Sequence, residues 1–174
     1  MDQLNSLDDI FLDLESREVQ ANIGGVSLFE GPMPEYEAIV AQIDSKLDLQ
    51  PRYRQRLRFL PLRLGSPVWV DDPEFDIGRH LIVHTLDPPG SQEQLSGYFS
   101  EIISHHLRRD RPLWEIHLVD GLSDGRWAIC WKVHHAMVDG LAAVELFSLL
   151  LDTRRKAKRG PPSDWSPRPV PSSL

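Results

Sequence analysis

The alternation of apolar and polar positions divides the chain into helical and extended stretches. Ser6 is followed three residues later by Asp9, the spacing of a capping box, and Leu7, Ile10, Phe11 and Leu14 then recur at helical intervals. A short helix is therefore predicted over 7–15. Residues 19–29 read as a strand, and Gly24-Gly25 within it predict a bulge or bend. Pro34 stands where a first helical residue belongs, and Tyr36, Ile39, Val40, Ile43 and Leu47 form one apolar stripe that ends before Pro51. Residues 80–86 read as a strand of mixed burial. Ser91 with Gln94 gives a second capping box, ahead of the clearest helical period in the chain, Leu95, Tyr98, Phe99, Ile102, Ile103 and His106.

Two alternating runs follow. Trp114, Ile116 and Leu118 alternate with Glu115, His117 and Val119, and after a loop holding Asp120-Gly121 and Asp124-Gly125, Trp127, Ile129, Trp131 and Val133 alternate with Ala128, Cys130 and Lys132. An antiparallel hairpin is expected. The second strand runs into His134-His135-Ala136-Met137-Val138-Asp139-Gly140, and Leu141, Val144, Leu146, Phe147 and Leu150 predict a helix beyond it. From Lys156 the text turns basic and then proline-rich, which reads as a linker or disordered terminus. One domain over 1–155 and a linker over 156–174 are expected. Helices interspersed with partly antiparallel strands make a layered α/β sandwich the natural architecture.

Composition narrows the function. With 19 Lys and Arg against 26 Asp and Glu, the net charge of −7 disfavours a nucleic-acid binder, whose phosphate contacts need a basic face. The single Cys130 excludes an intrachain disulfide and suits a reducing compartment. The N-terminus lacks the basic start of a signal peptide, and the longest mostly apolar run, 141–151, contains Glu145 and falls short of the roughly 20 residues needed to cross a bilayer. Against this acidic background Arg52, Arg54, Arg56, Arg58 and Arg63 form a positive island, to which a solvated face and an anion-binding role apply equally.

A histidine pair at a strand exit, followed by an acid and a glycine as a helix begins, puts an imidazole on a rigidly held turn. An unperturbed imidazole titrates near pH ~6.5 and can accept a proton from a hydroxyl, thiol or amine. Adjacent strand residues face opposite ways, so His134 and His135 share a cleft only if the strand has ended, and one of them is expected to be structural. Asp139 sits where a helix N-cap belongs and can also pair with an arginine; Gly140 leaves room for a close approach. The competing reading is a hydrogen-bonded core histidine with an acid that only caps a helix. A metal site has His135 and Asp139 four residues apart but lacks a convincing third ligand, so no metal is expected. A second run of the same spacing, His105-His106-Leu107-Arg108-Arg109-Asp110, lacks the glycine and reads as a helix C-terminus, where His and Arg meet the helix dipole favourably.

The run from His134 to Gly140 matches H-H-x-x-x-D-G, and Arg111-Pro112-Leu113-Trp114 upstream resembles a P-L-W motif. Together they resemble the bacterial wax ester synthase/diacylglycerol acyltransferase family of the CoA-dependent acyltransferase superfamily. Residues 4–15, 51–57 and 69–76 and the Pro88-Pro89-Gly90 turn also look like that family's N-terminal half. The chain departs from it at Asp110, since relatives carry the aspartate earlier, and in lacking the C-terminal half. The resemblance implies a chloramphenicol acetyltransferase-like sandwich, a mixed sheet with helices. It implies transfer of a long-chain acyl group from acyl-CoA to diacylglycerol or a long-chain alcohol. His135 would be the general base and His134 the neighbour orienting the loop. Asp139 would cap the helix or pair with an arginine such as Arg111, and Pro112, Leu113 and Trp114 would pack around the site. The Arg52 to Arg63 island is a candidate for the coenzyme A phosphates. No cofactor beyond the acyl-CoA substrate is implied. The expected partners are that substrate, the acceptor alcohol and the enzyme's C-terminal half, in the cytoplasm or peripherally on a membrane or lipid inclusion. Two alternatives stand beside this: a non-catalytic lipid-surface or partner-binding module of the same fold, and a peptide condensation-type domain.

Overall fold

The computed structural model describes residues 2–4, 6–16, 19–61, 65–137 and 164–169. Its elements are β1 (Asp2–Gln3), α1 (Ser6–Leu14), β2 (Asn22–Phe29), α2 (Tyr36–Leu47), β3 (Gln55–Arg58), β4 (Val68–Asp71), β5 (Leu81–Thr85), α3 (Gln92–Ser104), β6 (Trp114–Asp120) and β7 (Trp127–His134). Four strands form a mixed sheet in the order β2-β7-β6-β5, and β1, β4 and β3 form a small antiparallel sheet in the order β1-β4-β3. β6 and β7 are the expected hairpin, antiparallel from Trp114 against Val133 to Val119 against Ala128. β5 runs parallel to β6, and α3 supplies the crossover that parallel neighbours require.

The pleat divides the core in two. Trp114, Ile116 and Leu118 of β6 and Ile129 and Val133 of β7 join Leu12 of α1 and Ile39, Ile43 and Leu47 of α2 in one cluster. Val119, Ala128 and Cys130, on alternate positions, join Leu95 and Ile102 of α3 in another. α3 begins as its sequence predicts: the Ser91 hydroxyl accepts the Gln94 N–H and the Gln94 side chain accepts the Ser91 N–H.

Three expectations are corrected. β2 pairs with β7 without a break from Asn22 against His134 to Phe29 against Trp127, so Gly24-Gly25 make no bulge. They are glycine for space: a Cβ on Gly24 would lie 2.5 Å from the Trp131 carbonyl oxygen and 2.7 Å from Ile103, and one on Gly25 would lie 3.0 Å from the Trp131 ring. Pro34 is outside α2, whose N-cap is Glu35. The proline-rich tail is also more than a tether. Arg168 donates through its backbone N–H and its guanidinium to the Asp71 carboxylate at 2.9–3.0 Å, and Trp165 meets Phe75 edge-on at 5.9 Å. Arg168 holds the Asp71 carboxyl, despite the opposing effect of burial and with help from Gln55, well below the usual carboxylate range.

Candidate functional site

β7 ends at His134, and His135 opens a short 3-10 turn, His135–Met137. The two histidines are therefore released from strict alternation, yet they occupy different surroundings. His134 is 1% exposed; its Nδ1 accepts the Ala136 N–H at 3.0 Å, and its Nε2 lies 3.5 Å from Glu15 Oε1. Burial pushes its pKa down to about 4, with Arg109 and His135 adding to the effect and Glu15 opposing it. Its enclosure favours the neutral ring. His135 is half-buried, its ring stacked on Phe11 of α1 with centroids 3.7 Å apart, and its backbone N–H donates to the Ala21 carbonyl at 2.7 Å. Its Nδ1 is buried with no hydrogen-bond partner among the described residues.

The P-L-W segment is bound to this turn through the backbone. Pro112, Leu113 and Trp114 are buried, and the Leu113 carbonyl accepts the His134 N–H at 2.9 Å. Trp114 stacks on His80 with centroids 4.4 Å apart, and its indole N–H donates to the Tyr53 carbonyl at 2.8 Å. Arg111 turns to its neighbour Asp110, Nε to Oδ1 at 3.3 Å. Asp139, Gly140 and the helix predicted beyond them lie outside the described residues.

Sequence reasoning missed a carboxylate and overlooked what the second histidine run does. Glu15, immediately after α1 and with a side chain only 5% exposed, is contacted by Arg109 at 2.8 Å and by His106 at 3.1 Å. Burial would raise its pKa, but these two partners outweigh it and hold the carboxyl below its ordinary value. The run from His105 to Asp110 does lie at the C-terminus of α3, with His105 as its C-cap, but its His106 and Arg109 side chains turn to Glu15. The last carbonyls of that helix are taken instead by Asn22, which donates to Ile103 and His105, and by the buried Lys132, which donates to Ile102 at 2.9 Å. A signal for Glu15 was present, since it follows Phe11 by four residues and so continues the apolar stripe of α1 with a carboxylate.

The structure divides the arginine island, of which Arg63 lies outside the described residues. Arg54 is buried and paired with Asp44 and Asp48, Arg52 lies 4.5 Å over the Trp69 ring, and Arg56 donates to the Asp110 carbonyl. Arg54 is thereby withdrawn from both a solvated face and a phosphate site, whereas the Arg56 side chain remains 35% exposed. Among the described residues no three His, Cys, Asp or Glu side chains converge as a metal site, and no helix is long and apolar enough to cross a membrane.

Comparison with known proteins bears on the family and the fold. A chain of Mycobacterium bovis named as a diacylglycerol O-acyltransferase is 43% identical over 154 residues, covering 87% of this chain and 33% of its own. A diacylglycerol O-acyltransferase of Mycobacterium tuberculosis is 33% identical over 173 residues, 98% of this chain and 64% of that one. The chain thus spans about a third of the first of these relatives. Among solved structures, a wax ester synthase/diacylglycerol acyltransferase from Marinobacter aquaeolei VT8 superposes with a TM-score of 0.77 at 36% identity, over 94% of this chain and 42% of that one. The starter condensation domain of rhizomide synthetase shares the fold at 17% identity, with a TM-score of 0.68 over 85% of this chain and 34% of that one. The sandwich, a mixed sheet with helices, is therefore that of the CoA-dependent acyltransferases. The catalytic-domain model of the wax ester synthase/diacylglycerol acyltransferases matches residues 4–173, and the chain belongs to that family.

Proposed function

We propose that this chain is the N-terminal part of an O-acyltransferase that moves a long-chain acyl group from acyl-CoA to the hydroxyl of diacylglycerol or of a long-chain alcohol, with His135 as the general base. The observation that carries this reading is the seat of His135: first residue past a buried strand, braced by Phe11 on one ring face and anchored by its own N–H. With Nδ1 buried, the base is Nε2. The acceptor hydroxyl gives its proton to Nε2 as its oxygen attacks the thioester carbonyl. The tetrahedral intermediate then collapses with cleavage of the C–S bond, and the departing thiolate takes the proton from the imidazolium. The thioester is already activated, so the reaction calls for no further cofactor. Asp139 and Gly140, which lie outside the described residues, complete the motif in this reading.

Relatives named as diacylglycerol O-acyltransferases support the acceptor class, and the condensation domain that shares the fold is described in complex with C8-CoA. The same reading assigns the enzyme to the cytoplasm and to the surface of a membrane or lipid inclusion. Ile10 and Leu14, exposed on the helix that carries Phe11, suit that surface. The test is His135→Ala in the enzyme completed by its C-terminal half, followed by release of free coenzyme A and a thermal melt. An unchanged melt with activity below about a tenth of wild type is expected from loss of a general base; higher activity contradicts the assignment.

A further inference from the structure

Resting on the acyl-transfer reading, we propose that Glu15 is a positioning residue for His135, acting through the tautomer of His134. The Ala136 N–H donates to His134 Nδ1 at 3.0 Å, so that nitrogen must offer a lone pair. The single proton of the neutral ring is then on Nε2, and the group it faces is Glu15 Oε1, 3.5 Å away, a separation at which the carboxylate acts on the ring as a charge. Nε2 and Glu15 Oε1 are both buried without a hydrogen-bond partner among the described residues, so charge alone joins them, and removing the carboxylate removes the one attraction that favours a proton on Nε2. Moving that proton to Nδ1 sets a donor against the Ala136 N–H. Either change bears on the turn His135–Met137, because the Ala136 contact follows directly on the peptide of His135.

The carboxylate is itself fixed. Arg109 spans the end of α1, donating to the Leu12 carbonyl at 3.0 Å and to Glu15 Oε2 at 2.8 Å, and His106 approaches Oε1 at 3.1 Å. Phe11, one turn earlier on the same face, stacks on His135. The helix α1 and the residue just past its end therefore address both imidazoles, by ring stacking on the second and by charge on the first. This gives the His106 to Arg109 run a use unrelated to its similarity to the main motif: it holds the acid that sets His134.

The experiment uses the 174-residue chain labelled with 15N-histidine, in which two-bond 1H–15N spectra assign ring tautomers, and the same chain paired with the C-terminal half for transfer from a long-chain acyl-CoA to diacylglycerol. Wild type should give the Nε2–H pattern at His134. Glu15→Gln should mix the tautomers and lower kcat at least about tenfold, a share of the ~10²- to 10⁴-fold due to a positioned base, with KM for acyl-CoA nearly unchanged. Glu15→Asp, which keeps the charge on a shorter stem, should recover part of both. A His134 tautomer indifferent to Glu15→Gln, or a folded Glu15→Gln enzyme with wild-type kcat, overturns the proposal. If Glu15→Gln does not fold, Glu15→Asp decides: Nε2–H with reduced kcat supports it, and a displaced tautomer with wild-type kcat overturns it. A wild-type enzyme that transfers no acyl group removes the acyl-transfer reading alone, since the spectra still decide whether Glu15 sets His134.

Discussion

The carbonyl of Leu113 accepts the backbone N–H of His134 at 2.9 Å, so two motifs twenty residues apart in the sequence meet as one structure. Leu113 is fully buried between that contact and the core shared with α2. Truncating it removes apolar contacts and leaves a cavity under the histidine turn. Leu113→Ala should lower stability by about 2–5 kcal/mol, seen as a lower urea midpoint at unchanged slope. A loss under about 1 kcal/mol would mean the site collapses freely and that Leu113 does not brace the turn.

His134 also contributes to how stability responds to acid. Its pKa is depressed to about 4 in the fold against about 6.5 for an unperturbed histidine, so between those values the unfolded chain binds a proton that the native state does not. Stability is therefore intact above pH ~6.5 and falls as pH drops towards 4. Glu15 adds to the fall only at the acidic end, because its carboxyl is held below its ordinary value. Urea unfolding between these pH values should show the decline in wild type and a shallower one in His134→Gln, the remainder falling to His80, whose burial also lowers its pKa. Parallel slopes would place the acid sensitivity elsewhere.

Arg54 offers an asymmetry to measure. It is 2% exposed and pairs with Asp44 and Asp48, whose side chains are 36% and 47% exposed. Removing both acids strands a buried charge, whereas removing the arginine leaves two carboxylates that water can reach. The double variant Asp44→Asn, Asp48→Asn should cost about 3–5 kcal/mol, and Arg54→Met distinctly less. The reverse order in thermal or urea melts would show that the ion pair owes little to burial.

What the sequence made legible was local. The Ser91 and Gln94 cap needs only four residues to be recognised, and the hairpin strands carry their period within eight; both stand in the fold as read. Gly24 and Gly25 were misread because their reason lies across the sheet in Trp131, more than a hundred residues away. The places of Arg52 and Arg54 were hidden likewise, since Asp44, Asp48 and Trp69 reach them only after α2 and β4 have packed. At the site the histidines were legible as a motif. Their opposite fates, one neutral and enclosed, the other braced and half-open, depend on Glu15 and Phe11 from the first helix.

Gly24 also permits a direct check on strand pairing. The nearest obstacle to a Cβ there is the backbone oxygen of Trp131, at 2.5 Å, and no side-chain rotation can relieve it. Gly24→Ala should therefore destabilise the protein although alanine generally favours ordered backbone, and it should speed hydrogen exchange at β2 amides next to His134. Wild-type exchange in Gly24→Ala would show that β2 can move aside without cost.

The 174-residue chain by itself should transfer little or no acyl group. Acyl transfer between two substrates needs walls on both sides of the base, and Phe11 supplies one of them. Ligand sites of this kind commonly lie between domains, and this chain spans 33% of the first curated relative and 42% of the solved Marinobacter enzyme. Burial of a long acyl chain contributes about 0.8 kcal/mol per CH₂, but only in a closed tunnel. An assay with long-chain acyl-CoA and diacylglycerol, run on the chain with and without a separately expressed C-terminal half, should give turnover only when both are present. Full activity from residues 1–174 would mean that they enclose both substrates unaided, and the division of the site between two halves would have to be abandoned.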